Sequence, residues 1–382
     1  VVVDAVGRAD VERLADLDRH LRGQWQRRDE AGRHAEGDVP DEGEGLHLQT
    51  LEAGLDGAGA VVAWRHRAAY PAISASFAPD ITGPDGDELT NGASDIPYAI
   101  PNLSIEACPA VAHTRIGWYR SVNAVHHGYA IGSFVDELAA AAGKDPLEFL
   151  LALIGPDRQV DLSQAGLVPP ASNYGASWTD HPMDSARAKG VLRLAAEKSG
   201  WGSALPKGRG RGIAMHRSFL SYVAMVVEGE VKPDGTVLVP RATVAVDAGF
   251  IANPDRVRAQ MEGALVMAMS NTLYSEITFA EGKVVQSNFR DYTVTRMPAA
   301  PHQVDVHHVE IEVHPGGGGE PGVPLAGAAL ANAIHAATGI LQMAYEAPPD
   351  IEQIFTRSED LILRLRGGEN FRDFVHIRQL LQ

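Results

Sequence analysis

The sequence predicts an α+β fold, because strand-like and helix-like segments are mixed without the regular strand–helix–strand rhythm of a parallel α/β sheet. Apolar residues recur at helical spacing over 131–142, whereas two strands separated by a tight turn are predicted over 222–246. The chain has 382 residues, of which 45% are hydrophobic. That length suits about two or three packed units with a sizeable core.

Residues 1–45 are the least globular part of the sequence. A short amphipathic helix is predicted over 11–17, and residues 27–45 combine many charges and glycines with few large apolar side chains. Such a stretch buries too little surface to offset its ordering entropy, so we expect an irregular segment. A β-hairpin is predicted next, with strands at 46–51 and 60–64 around a Gly-rich turn.

Two helices joined by a tight turn are predicted in the middle of the first half. The helix over 131–142 meets a typical C-terminal stop at Gly143, and Asp145 and Pro146 begin the next helix as N-cap and first residue. Residues 156–179 are rich in Gly, Pro, Ser and Asn and are the best candidate for a boundary.

The second half is more regular. The expected elements are a helix at 185–198, strands at 222–231 and 236–246 around a Pro-Asp-Gly turn, a helix from the cap Asn253 to 271, a hairpin over 277–285, a strand at 304–314, a glycine loop at 316–322, and a helix at 325–338 ended by Gly339.

The charge balance excludes several function classes. Lys and Arg total 33 and Asp and Glu total 49, which gives a formal net charge of −16. A surface this negative disfavours general nucleic-acid binding and docking on anionic membranes. The single cysteine, Cys108, is too few for an internal disulfide or a cysteine-ligated cluster, and nothing local predicts a reactive thiol. No window of about 18 apolar residues predicts a transmembrane helix, and no signal peptide is expected at the start.

The glycine loop is the most informative segment. Four consecutive glycines, 316–319, allow close approach of a ligand and free the backbone for positive φ, and Glu320 follows them directly. The loop matches neither the phosphate-binding nor the dinucleotide-binding glycine pattern. The pattern therefore leaves two interpretations: a loop that presents one carboxylate to a packed group, and a flexible linker with an incidental Glu.

Other candidates have plainer alternatives. The residues His308, Glu310, Glu312 and His314 alternate along the predicted strand, and a metal site or a solvated face both fit them. His126 and His127 precede the helix at 131 and fit catalytic or surface positions. Residues 208–212, Gly-Arg-Gly-Arg-Gly, fit an anion site or, as we favour, a turn. Met261, Leu265, Val266 and Met269 are interpreted as core residues.

An ordered series of segments resembles one family, the molybdenum-binding large subunit of the xanthine dehydrogenase and aldehyde oxidase family, with the isoquinoline 1-oxidoreductase beta-subunit type as the nearest branch. The resemblance covers about residues 45–340 and rests on DIPYAIPN at 95–102, GWYRSV at 117–122, FVDELA at 134–139, AGKDP at 142–146, AVDAG at 245–249, NPD at 253–255, RAQMEGA at 258–264, QSNF at 286–289, GEPG at 319–322 and ALANAI at 329–334.

The resemblance implies a role for each matching residue. Glu320 matches the general base that acts on the metal-bound hydroxyl, and Gln260 matches a pterin-contacting glutamine. Arg120, Ser121 and Val122 match the loop beside the metal, and Gly319 belongs to the cofactor contacts. The implied cofactor is molybdenum–molybdopterin, in its cytosine dinucleotide form. The pterin dithiolene, and no protein side chain, is expected to hold the metal.

The resemblance also implies an organisation and partners. The expected units are an irregular segment at 1–45, a partial first molybdopterin-binding subdomain at 46–180, a second at 181–340 and an atypical, helix-prone tail at 341–382. A small [2Fe–2S] subunit is the expected redox partner. The glycine-rich cofactor motifs of the family's amino-terminal half do not occur here. This leaves three alternatives: a fragment, a subunit completed by another chain that supplies the missing N-terminal half, or a homologue with altered ends.

The implied activity is that of an oxidoreductase subunit that hydroxylates an N-heterocycle with oxygen from water, or oxidises an aldehyde. The alternative is a truncated or non-catalytic homologue that acts as a partner subunit. The sequence does not select between bacterial cytoplasm and periplasm.

Overall fold

In the described residues the fold has two four-stranded sheets, two short two-stranded sheets and six α-helices. The computed structural model describes residues 47–78, 80–81, 84, 86–110, 116–164, 172–280, 283–339 and 373–381. Its strands are β1 His47–Leu55, β2 Val61–Pro71, β3 Asn102–Ala110, β4 Gln159–Val160, β5 Met183–Asp184, β6 Arg209–Ser218, β7 Ser221–Val231, β8 Val237–Asp247, β9 Phe279–Ala280, β10 Lys283–Val284, β11 Val304–His308 and β12 Asp373–Leu381. Its α-helices are α1 Gly86–Leu89, α2 Ala124–Ala141, α3 Pro146–Ile154, α4 Ser185–Ser199, α5 Pro254–Leu273 and α6 Val323–Thr338.

The first sheet has the order β12-β1-β2-β3. β1 and β2 form the predicted antiparallel hairpin, whose turn is closed by Asp56, because its Oδ1 accepts from the N–H groups of Ala58 and Ala60, both at 2.9 Å. β12 pairs antiparallel with β1, so the expectation of a helix-prone tail is wrong for residues 373–381. The predicted helix at 11–17, the irregular segment at 1–45 and the tail at 341–372 lie outside the described residues.

The second sheet has the order β11-β8-β7-β6 and is buried on both faces. Along β7, Tyr222, Ala224 and Val226 belong to one hydrophobic core, whereas the alternating residues Val223 and Met225 belong to the other. The near-continuous apolar run of this strand follows from that two-sided burial. The predicted strands around 232–235 are confirmed, with Gly235 at φ 84° in the turn.

The helices confirm most of the predicted boundaries. The Asp145 side chain caps α3 by accepting from the N–H groups of Leu147 and Glu148 at 2.9 and 3.1 Å. Asn253 caps α5 in the same way through Arg256, at 3.1 Å. α2 begins at Ala124 rather than at residue 131, so its first turns belong to the functional site described below.

The glycines of β6 let α6 lie directly on the sheet. A Cβ atom at Gly212 would lie 2.7 Å from the carbonyl carbon of Asn332, and one at Gly210 would lie 2.7 Å from that of Ala336. The interpretation of 208–212 as a turn is therefore wrong, since β6 begins at Arg209. The two arginines of 208–212 form ion pairs across to β7, which satisfies their charge without a bound anion: Arg209 with Glu228 and Glu230, and Arg211 with Glu228.

The strand predicted over 304–314 ends at His308. β11 pairs with the end of β8, and β8 stops at Asp247, after which Gly249 turns the chain at φ 67°. Beyond that point isolated hydrogen bonds follow, from Phe250 N to Val313 O and from Gly316 N to Ala248 O. The prediction failed because a strand lasts only as long as its pairing partner.

The hydrophobic cores join distant parts of the sequence. One core contains Phe134 from α2, Leu192 from α4 and Tyr222 from β7. The described residues belong to one compact unit, Asp41–Gln382; the other unit, Val1–Pro40, lies outside them. The division into subdomains at 46–180 and 181–340 stays a prediction.

Among the helices of the described residues, we find no candidate whose length and apolar character would suit a membrane-spanning segment.

We expect Gly212→Ala to lower the free energy of unfolding by about 1–3 kcal/mol, because the added methyl group must push α6 away from the sheet. Gly190→Ala is the matched control in α4. Its Cβ meets no atom within 4 Å, and alanine favours a helix by about 0.5–1 kcal/mol, so this variant is expected to be stabilised. Urea unfolding of both variants measures the difference, and equal effects would contradict the packing account.

Candidate functional site

The glycine loop connects the end of β11 to α6 and packs against the protein itself. Gly316 N donates to Ala248 O at 2.8 Å, and Gly317 N donates to Phe219 O at 2.7 Å. None of the four glycines 316–319 has a positive φ, which corrects that expectation. Gly316 and Gly317 are required instead by close approach to neighbouring backbone. The loop is therefore anchored, which disfavours the interpretation as a flexible linker.

Glu320 is held by Ser121 through two hydrogen bonds. Ser121 N donates to Glu320 Oε2 at 2.7 Å, and Ser121 Oγ donates to the Glu320 backbone carbonyl, also at 2.7 Å. The glutamate is half-buried and Ser121 is fully buried. One carboxylate oxygen is thus fixed by a backbone N–H, and no hydrogen bond within the described residues engages the other, Oε1.

The loop that carries Ser121 has an unusual backbone. Ser121 and Val122 have φ values of 78° and 50°, in the left-handed region that residues with a Cβ rarely adopt. Such conformations cluster at functional sites, where the surrounding structure enforces them. Helix α2 begins two residues later at Ala124, so the strained loop is fixed at one end by a buried helix.

Arg120 ties three segments together. Its Nε and Nη2 donate to Gly319 O at 3.0 and 2.5 Å, and Nη2 also donates to the backbone and side-chain oxygens of Gln260 at 3.0 and 2.9 Å. Burial lowers the pKa of Arg120, while the negative charge of Glu320 opposes that shift, so the guanidinium remains a cation beside the carboxylate.

The structure therefore brings Arg120, Ser121, Gln260, Gly319 and Glu320 into one cluster, although Arg120 and Gly319 are 199 residues apart in the chain. Val122 lies beside them in the strained loop. The cluster offers a carboxylate with one unengaged oxygen, an arginine, and the exposed side-chain amide of Gln260. This set can take a proton at Glu320 Oε1 and donate hydrogen bonds to an anionic or heterocyclic group.

The alternating residues 308–314 do not form a metal site. Only His308 lies in β11, so the four side chains do not share a strand face. Among the described residues, no group of three or more His, Cys, Asp or Glu side chains could hold a metal ion. Met261, Leu265 and Met269 are fully buried, which confirms three of the four predicted core positions; Val266 is half-buried. Cys108 lies in β3, and its side chain is outside the described set.

His126 and His127 are buried in the first turns of α2, so a surface position is wrong for both. His127 Nδ1 lies 3.0 Å from Gln49 Oε1, and His66 Nε2 lies 2.7 Å from the same oxygen. The imidazoles of His66 and His127 meet edge to face, with ring centroids 5.3 Å apart. A buried polar cluster thus lies in the same helix end that follows the loop of Ser121.

Sequence reasoning missed Gln49 and His66. The available signal was strand alternation, since Gln49 is in phase with the buried Leu51 and Ala53, and His66 with Trp64 and Ala68. Polar residues at apolar positions of a hairpin indicate a buried polar network.

Comparison with known proteins identifies a related domain. Residues 156–301 match the family described as "Molybdopterin cofactor-binding domain". This range contains Gln260, whereas Arg120, Ser121 and Glu320 lie outside it.

Two curated relatives extend the match. The chain is 31% identical over 312 residues to a subunit of the nicotinate dehydrogenase of Pseudomonas putida, which covers 77% of this chain and 24% of the relative. It is 29% identical over 249 residues to the beta subunit of isoquinoline 1-oxidoreductase of Brevundimonas diminuta, which covers 64% of this chain and 28% of the relative. The chain thus spans about a quarter of the length of these relatives.

A solved structure supports the fold. Aldehyde oxidoreductase from Desulfovibrio gigas superposes with a TM-score of 0.56 at 13% identity, over 78% of this chain and 48% of that chain. At this identity the likeness concerns the fold alone. Together these matches confirm the family resemblance that the sequence motifs indicate, and the α+β fold class.

The buried histidines predict acid sensitivity. Burial lowers the pKa of His66 to about 3 and those of His126 and His216 to about 4, all below the usual value near 6.5. Below pH 6.5 the unfolded chain therefore binds more protons than the folded chain does. The free energy of unfolding falls as the pH drops towards 4. We expect His66→Gln, which keeps an amide at the Nε2 position, to make this pH dependence shallower by about 1.4 kcal/mol per pH unit. Urea unfolding at a series of pH values measures the slope, and an unchanged slope would contradict the prediction.

Proposed function

Because the chain carries a molybdopterin cofactor-binding domain and has the fold of the large subunits of molybdenum hydroxylases, we propose that it is a molybdenum hydroxylase-type oxidoreductase subunit in which Glu320 is the general base. The observation that carries the proposal is the cluster around Glu320. Three distant segments present one half-buried carboxylate whose Oε2 is fixed at 2.7 Å by Ser121 N. The reaction is water-derived hydroxylation of an N-heterocycle, or oxidation of an aldehyde.

The residues of the cluster suit the cofactor. Arg120 and the amide of Gln260 are donors of the kind that bind a pterin with an anionic tail, and Gly319 has open space where a side chain would stand, with no atom within 4 Å of its Cβ position. In this proposal Gln260, Arg120, Ser121, Val122 and Gly319 hold the cytosine dinucleotide form of molybdopterin. When bound, this group would supply two-electron oxidation.

The chain's own part of the chemistry is to move a proton. Glu320 Oε1 would accept a proton from the attacking water, while Oε2 keeps its hydrogen bond from Ser121 N. A base must lie within about 3 Å of the proton it takes, and the two bonds from Ser121 hold the carboxyl group in one orientation for that purpose. Arg120 places a positive charge beside the carboxylate and fixes the carbonyl of the preceding glycine.

The substrate class follows the names of the relatives. Nicotinate and isoquinoline are N-heterocycles, and the structural neighbour is an aldehyde oxidoreductase. An N-heterocycle is the leading candidate, and an aldehyde is the second. We also propose that a small [2Fe–2S] subunit takes up the electrons and that a further chain completes the cofactor site.

Replacing Glu320 by Gln tests the role of the base. The variant keeps an oxygen that accepts from Ser121 N but replaces the free oxygen with an NH₂ group, which cannot take a proton. Turnover of a heterocycle or aldehyde should therefore fall by about 10²–10⁴-fold. Molybdenum content and the free energy of unfolding should stay unchanged. Glu312→Gln, the same change at an exposed position, is the control. Activity that survives Glu320→Gln in the assembled enzyme would favour the alternative of a non-catalytic partner subunit.

Gln260→Ala tests cofactor binding. Losing one hydrogen-bonding amide should lower cofactor retention by roughly fivefold, read as molybdenum per chain after dialysis of the assembly. Gln303→Ala removes a side chain whose Nε2 donates to Asp305, away from the cluster, and serves as the matched control. Equal molybdenum content in both variants would remove Gln260 from the site.

A further inference from the structure

Backbone strain is concentrated at the candidate site. In the described part of the chain, five residues other than glycine have a left-handed backbone. Ser121 and Val122 form the loop that holds Glu320, and Phe219 and Leu220, at φ 50° and 68°, form the turn between β6 and β7. The fifth, Tyr174, packs its ring against Phe219, with centroids 5.1 Å apart. The β6–β7 turn is therefore a second strained element, and the function proposed above does not use it.

The turn has an unfavourable sequence for its shape. β6 ends at Ser218 and β7 begins at Ser221, so two residues make the whole connection. Two-residue hairpin turns with positive φ at both positions favour Asn-Gly, because bulky side chains are disfavoured there. A Phe-Leu turn of this shape persists only where its surroundings hold it.

The surroundings that hold it are the glycine loop. Gly317 N donates to Phe219 O at 2.7 Å, and Ser221 Oγ donates to Gly317 O at 2.7 Å. Ser221 is completely buried. Both backbone polar groups of Gly317 are therefore bonded to the turn and to the first residue of β7.

The fit leaves no room for a side chain at this point. A Cβ atom at Gly317 would lie 2.8 Å from Phe219 Cβ and 3.1 Å from Phe219 O. One residue later the constraint disappears, since a Cβ atom at Gly318 would meet Val257 Cγ2 at an ordinary 3.4 Å. The contact is thus confined to the start of the loop, three residues before Glu320.

We infer that the β6–β7 turn and the buried hydroxyl of Ser221 position Glu320, by fixing Gly317 while Arg120 and Ser121 fix Gly319 and Glu320. Ser221 is a positioning residue in this account, because its hydroxyl donates to the loop at Gly317 O. The inference rests on the proposed function in one respect, the role of Glu320 as the base. It adds, at Gly317, a third point at which the loop that carries Glu320 is fixed.

The test uses two variants and two matched controls in the assembled enzyme. Gly317→Ala forces the loop away from the turn, and a displacement of this kind should lower kcat by at least about tenfold. Ser221→Ala removes one neutral hydrogen bond and should lower kcat by roughly fivefold, with KM little changed. The controls are Gly318→Ala, in the same loop, and Ser199→Ala, a buried serine whose Oγ donates to Ala196 O at 3.0 Å in α4.

A second readout is independent of activity. Hydrogen–deuterium exchange of the peptide covering 314–322 should speed up in Gly317→Ala and Ser221→Ala and stay unchanged in both controls. If Gly317→Ala fails to fold, Ser221→Ala, which removes one oxygen atom, carries the same test.

The outcomes separate the inference from the proposed function. If the kcat and exchange of Ser221→Ala match those of the controls while Glu320→Gln is inactive, the positioning role is overturned and the base stands. If Glu320→Gln remains active, the proposed function fails, and exchange still shows whether the turn holds the loop.

Discussion

The two hydrogen bonds between Ser121 and Glu320 are the constraint on which the site depends. They join a loop at the start of α2 to a loop at the start of α6, and each uses a backbone group as one partner. Because backbone groups cannot rotate away as side chains do, the carboxyl group is oriented by the fold itself. Ser121, whose N–H donates to the carboxylate, also has a left-handed backbone, so the strained residue and the contact that orients Glu320 coincide.

The rest of the fold keeps these two helix starts together. α2 and α6 approach closely because Gly128 and Gly132 face Pro324 and Ala328, where a Cβ atom would lie 2.6 and 2.7 Å from the facing Cβ atoms. α6 in turn lies on β6 through Gly210 and Gly212. These small residues therefore set the distance between the two helices that carry the site.

Local patterns predicted most elements, because caps, turns and periodicity act over a few residues. Asp145, Asn253 and Gly339 each stand where the sequence placed a helix end. The loop of Glu320 was also visible, since four glycines before a helix are conspicuous. What failed depended on distant partners: the end of β11 was set by β8, and the burial of His126 and His127 was set by where α2 begins.

The cluster itself could not be assembled from local patterns. Nothing in the propensities of Ser121 and Val122 predicts a positive φ, and only the family resemblance placed Arg120 and Gln260 near Glu320. Likewise Phe219 and Leu220 lie outside the predicted strands, and their bulky side chains do not predict a two-residue turn with positive φ at both positions. Sequence patterns thus predict the individual helices, strands and loops, and tertiary packing determines which of their residues come into contact.

The separation of Arg120 from Gly319, 199 residues along the chain, has a kinetic consequence. Closing so long a loop carries an entropic penalty that grows with its length. Contacts of this kind form late, because the loop must close before the contact can stabilise the fold. The hairpins and capped helices, whose partners are near neighbours, are able to form before it. A nascent chain is therefore expected to form its hairpins and capped helices first and the cluster around Glu320 last. A ligand that contacts both of the joined segments would bind only to a nearly native fold.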